Sequence, residues 1–102
     1  MKSPNRRALA VVLLVGGLLI GGCSKPPQMP ADSRNLIGSL RTAISAQRKD
    51  WLEENAKLVE KKRSENKLSG EQYAEFEAII ADARDGNWST AEKEVIRLEQ
   101  AQ

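Results

Sequence analysis

The stretch Ser69-Gly70-Glu71-Gln72-Tyr73-Ala74-Glu75-Phe76-Glu77-Ala78-Ile79-Ile80-Ala81-Asp82-Ala83-Arg84-Asp85-Gly86-Asn87-Trp88 decides the fold. Ser69 with Gln72 forms an S-x-x-Q capping box, the start signal of a helix. Tyr73, Phe76, Ile79, Ile80 and Ala83 then recur at helical spacing and form one apolar face. Asp85-Gly86-Asn87 ends the helix, with Gly86 suited to a left-handed position after it. Ser89 with Glu92 reads as a second capping box, and Ala91, Val95, Ile96 and Leu98 as the next apolar face. Two helices, about 69–85 and 89–101, therefore form an αα-hairpin.

The same signals weaken toward the start of the chain. Asp32 or Ser33 is placed to cap a helix that carries Leu36, Ile37, Leu40, Ala43 and Ile44. The polar cluster Gln47-Arg48-Lys49 follows, and Asp50 with Glu53 makes a D-x-x-E cap for a second helix. That helix would turn Trp51, Leu52, Asn55, Leu58 and Val59 inward. A single helix from about 33 to 66 competes with this reading, because Ile37, Ile44, Trp51 and Leu58 are spaced by seven. No proline follows Pro30, no strand pattern appears, and good helix formers dominate. The expected fold is all-α: a small bundle of two αα-hairpins, or one long helix plus a hairpin. Leu40, Ala43, Ile44 and Arg48 lie 36 residues before Phe76, Ile79, Ile80 and Arg84, and Trp51 lies 37 before Trp88. This period suggests two stacked helical pairs. Trp51 and Trp88 read as core anchors at the turns.

The first 30 residues are of another kind. Lys2, Arg6 and Arg7 precede an apolar run from Ala8 to Gly22, the form of a secretory signal. At 15 residues the run is short for a spanning helix, which needs about 20. Leu19-Ile20-Gly21-Gly22-Cys23 closes it and contains the only cysteine. This stretch resembles the lipobox of bacterial lipoproteins. The resemblance implies cleavage between Gly22 and Cys23, with diacylglycerol on the Cys23 thiol and an acyl chain on its amino group. No other cofactor is expected. Ser24 then fits export to the periplasmic face of the outer membrane rather than retention in the inner one. Ser24 to Pro30, with Pro26, Pro27 and Pro30, reads as an extended tether roughly 20 Å long. The chain thus divides into a signal (1–22), a lipidated Cys with its tether (23–31) and a helical domain (32–102).

The formal charge of the whole chain is +2, from 16 basic and 14 acidic residues. Three of the basic residues belong to the signal, so the remainder carries −1 and gives no reason to expect a nucleic-acid partner. Gly86-Asn87-Trp88 with Ala91 resembles the turn of a tetratricopeptide repeat over about half a repeat. Ile79 stands where that family has a small residue, and its ligand chemistry is not carried over. There is no His, and the one Cys is committed to lipid, so neither catalysis nor a metal site is expected. Arg34, Arg41 and Arg48, every seven residues, form a candidate basic stripe for a membrane surface or wall polymer. The leading expectation is a lipid-anchored, non-catalytic envelope lipoprotein that binds a protein partner. A tetratricopeptide-like adaptor and a surface-binding module are the alternatives.

Overall fold

A computed structural model describes residues 25–102. The signal, Gly22, Cys23 and Ser24 lie outside the described residues. Four helices follow one another: α1 Ala31–Ser45, α2 Lys49–Ser64, α3 Gly70–Arg84 and α4 Trp88–Gln100. Each packs against its neighbours in sequence, and α4 closes back onto α1. The result is an all-α ring of two antiparallel hairpins, not two pairs stacked in a row. The long-helix alternative is excluded, because α1 ends at Ser45 and α2 starts at Lys49.

All three turns between helices use one device. Gln47, Asn66 and Gly86 each take positive φ, at 54°, 61° and 84°. The following N–H reaches back across the turn: Arg48 to Ala43, Lys67 to Lys62 and Asn87 to Asp82, at 3.0, 2.8 and 2.9 Å. A second bond runs from Gln47 to Ile44, Asn66 to Arg63 and Gly86 to Ala83. This is the Schellman arrangement, which satisfies the orphan carbonyls of a helix end. Gly86 announces it in the sequence. Asn66 tolerates it, and Gln47 adopts it at a steric cost.

The turns also correct the expected caps. Ser69 forms its box in full: its Oγ accepts from Gln72 N, and its own N–H donates to the Gln72 side chain, at 3.1 and 2.8 Å. The other three caps move. Pro30 sits at the N-cap of α1, so Asp32 lies in the first turn and Ser33 is buried with its Oγ unpartnered. Arg48 holds that position for α2 and Asn87 for α4, so Asp50 and Ser89 fall inside the helices. At α2 and α4 the Schellman turn leaves its last residue as the next N-cap, and this overrides the side-chain signal.

The core joins Met29, Leu36, Ile37, Leu40, Ile44, Leu52, Ala56, Val59, Leu68, Phe76, Ile79, Ile80, Ala83, Ala91, Val95 and Leu98. Met29 belongs to the expected tether, yet it is only 2% exposed. Its N–H donates to Gln102 Oε1 at 2.7 Å, and Gln102 Nε2 donates to the Pro27 carbonyl at 3.1 Å. Gln72 Nε2 donates to the Gln28 carbonyl at 2.7 Å. The domain therefore begins near Pro27, and what remains of the tether is shorter than its prolines suggest.

The two halves correspond in register at an offset of 39 residues, not 36 or 37. Helix starts 31 and 70, the turns at Gln47 and Gly86, and helix starts 49 and 88 all correspond. So do the buried pairs Met29 and Leu68, Ile37 and Phe76, Leu40 and Ile79, Ala56 and Val95, and Val59 and Leu98. The interfaces between the halves repeat as well. Arg84, the last residue of α3, donates to Glu53 through Nε and Nη2, both at 2.8 Å. Its counterpart Ser45, the last residue of α1, donates to Glu92, the counterpart of Glu53, at 2.8 Å. The offset of 36 read for the first helix of each half is three residues short, close to one helical turn, so it still lays apolar face on apolar face, whereas the 37 read through Trp51 and Trp88 is two short.

Candidate functional site

The outer flank of α2 departs most from a simple amphipathic helix. Leu52, Asn55, Ala56 and Val59 are its buried side. Trp51 and Leu58 lie outside that face and are 37% and 47% exposed. Sequence spacing placed both inward, in line with Ile37 and Ile44. The turn at Ala46 and Gln47 ends that line, and α2 restarts in a new phase. Trp88 behaves as expected of an anchor at a turn, packing partly buried against the core.

Trp51 is held rather than loose. The Arg48 guanidinium lies over its ring, 4.2 Å from the centroid, a cation–π contact. Arg48 in turn donates to both carboxylate oxygens of Asp50, at 3.0 and 2.7 Å. This pair raises the Arg48 pKa and lowers that of Asp50, the hydrogen bond between them being the main cause. Ser39, Thr42, Trp51, Glu54 and Asn55 line an open depression between α1 and α2. Asn55 is buried at its floor. Its Nδ2 donates to the Trp51 carbonyl at 2.8 Å, and its Oδ1 has no partner.

Charge is polarised along the same helix. Asp50, Glu53 and Glu54 outnumber Lys49 in its first half, and Lys57, Lys61, Lys62 and Arg63 outnumber Glu60 in its second. Part of this charge is used within the bundle. Glu53 pairs with Arg84, which lowers the Glu53 pKa, and Lys62 lies 3.5 Å from the Asp32 carboxylate. Arg63 donates to the Leu68 carbonyl at 2.8 Å. Asp50, Glu54, Lys57 and Lys61 are exposed.

The basic stripe does not assemble. Arg34 and Arg41 both stand on α1, two turns apart, but Arg41 is bound to Glu99 of α4 at 2.8 Å. Arg48 lies past the turn and is committed to Asp50 and Trp51. The seven-residue spacing loses its meaning where the helix breaks.

Among the described residues, no group of three or more His, Cys, Asp or Glu is placed to hold a metal ion. No helix among them is long and apolar enough to cross a membrane. A carboxyl pair sits between α3 and α4. Burial, and then the neighbouring Asp82, push Glu94 up to about 7, and one Glu94 oxygen is buried without a partner. Comparison with protein-family models, with curated proteins and with solved structures finds no match to this chain.

Proposed function

We propose that this chain is a lipid-anchored, non-catalytic envelope lipoprotein whose helical domain binds a protein partner through the Trp51–Leu58 flank of α2. The observation that supports the binding role is the pair itself. Trp51 and Leu58 are the two large apolar side chains left exposed by a domain that buries its other large aliphatic side chains or packs them against its core. An aromatic residue held rigidly at the surface is the usual centre of an interface. The anchor rests on Leu19 to Cys23, with lipid on Cys23 and the outer membrane favoured by Ser24. Tethering raises the effective concentration of a partner in the same membrane, so a small contact area suffices.

The test places a photo-crosslinking residue at Leu58 in the full chain, in cells, with and without Cys23→Ser. The expected result is a lipid-modified protein lacking residues 1–22, joined to a protein partner, with much less adduct in the Cys23→Ser form. Intact Met1 to Gly22 on most molecules would refute the anchor. Absence of any adduct at Leu58, with ready crosslinking at a control position on α3, would refute the binding face.

A further inference from the structure

We infer that the partner on this flank is a second copy of the same chain, with the two α2 helices antiparallel. The inference rests on the reading of α2 as the binding face and names its occupant. Three features of α2 point to it. The first is self-complementary spacing. A two-fold axis running beside α2, at the height between Glu54 and Asn55, sets Trp51 of one copy at the height of Leu58 in the other. Both exposed apolar side chains are then covered twice over by a single operation, as an isologous interface requires.

The second feature is the charge beside that pair. Asp50, Glu54, Lys57 and Lys61 follow one another at helical spacing along one exposed edge, acids first and bases last. In an antiparallel pair this edge meets its own copy reversed. Asp50 then lies within about 3 Å along the axis of both Lys57 and Lys61 of the other copy, at 1.5 Å rise per residue. Glu54 lies equally near Lys57, and the two Glu54 residues come within about 1.5 Å along the axis of each other at the two-fold, the one close like-charge approach in this arrangement. A parallel pair would set acid against acid and base against base, so the charge selects the orientation.

The third feature is the neighbourhood. Ser39 and Thr42 of α1 border the flank with short side chains, which lets a second helix approach. The contact is limited in extent. One 16-residue helix is about 24 Å long and falls at or below the low end of specific interfaces, about 1,200 Å² in total. The pair is therefore weak in dilute solution and favoured when both copies share a membrane.

Disulfide trapping in intact cells tests this with the full chain. Glu54→Cys places a thiol next to the two-fold axis, and the parent chain with Cys23 alone is the control. The expected product is a covalent dimer of twice the chain mass from Glu54→Cys and none from Glu71→Cys on α3. Adding Lys61→Glu should lower the trapped fraction by about tenfold, and adding Asp50→Lys to it should restore the fraction, because reversal of both signs rebuilds complementarity; Asp50→Lys by itself also frees Arg48 of the same chain, so the comparison is between Lys61→Glu and the double variant. All four positions are exposed, and circular dichroism of each variant checks that the bundle is intact. A product joined to a different protein would overturn the two-copy pairing and leave the binding face standing. A trapped dimer that ignores the charge reversals would overturn the antiparallel geometry. No product at position 54, with no adduct at Leu58 either, would remove both.

Discussion

Replacing Glu94 by Gln should stabilise the domain at neutral and alkaline pH and do little in acid. Burial and Asp82 push Glu94 up to about 7 from an ordinary 4.5. The other charged groups that face it are Glu75 of α3, which adds to the rise, and Arg97 of α4, which opposes it. The folded protein thus binds a proton that the unfolded chain has already released. The stability contributed by the neutral acid is complete below about 4.5 and is lost as pH rises through about 7. Two and a half units would correspond to about 3 kcal/mol, and partial exposure of Glu94 reduces the expected effect to about 1–2 kcal/mol. The Gln variant keeps the neutral form at every pH and can donate to Asp82. At pH 8 its melting temperature should exceed the parent's by roughly 5–10 °C, for a domain of this size. At pH 4 the two should melt together. Thermal unfolding by circular dichroism across this range measures the difference directly. Equal melting temperatures at pH 8 would refute the reasoning, because Glu94 would then be ionised in the folded state at no cost.

Two further substitutions test the architecture. Gln47→Gly should raise stability by about 0.5–1 kcal/mol, since a left-handed non-glycine residue costs about 1–2 kcal/mol and glycine's extra unfolded-state freedom returns part of it. Gly86→Val at the corresponding turn should cost about 1–2 kcal/mol although space for the side chain exists, and opposite signs at the two sites in denaturant titrations are the check. Met29→Ala should cost about 2–3 kcal/mol if Met29 is core, and nothing measurable by the same titration if it is tether.

Legibility in the sequence followed how local each signal was. The all-α class and the third helix could be read because Ser69, Gln72 and Gly86 act within a few residues of themselves. The break at Gln47 carried a conflicting signal: its glycine is missing, and the heptad through Ile37, Ile44, Trp51 and Leu58 ran across it. Only the packing of α2 between α1 and α3, which demands Leu52, Ala56 and Val59 inward, decides the phase. The exposure of Trp51 and Leu58 follows from that choice, so this flank could not be found before the break was fixed. Met29 was hidden for a different reason. The prolines around it are what a free extended segment would carry, but Gln102, which holds it, lies 73 residues away. The apparent Arg34, Arg41 and Arg48 stripe failed through the same break and through Glu99, a partner 58 residues from Arg41.

The joint between Met29 and Gln102 has a counterpart in the loop between α2 and α3. Arg63 donates to the Leu68 carbonyl there, where at the offset of 39 residues Gln102 accepts from the Met29 N–H. One of these joints is crossed by the peptide chain and the other only by hydrogen bonds. The domain is therefore a circle with a single covalent gap, and the place of the gap is arbitrary with respect to the packing. A circular permutant that links residue 102 to residue 27 through a short spacer and opens between Asn66 and Lys67 contains every helix contact of the original. Its two hairpins simply exchange their order of synthesis. In the natural order, the first hairpin cannot seat its entry segment until the final helix has been made.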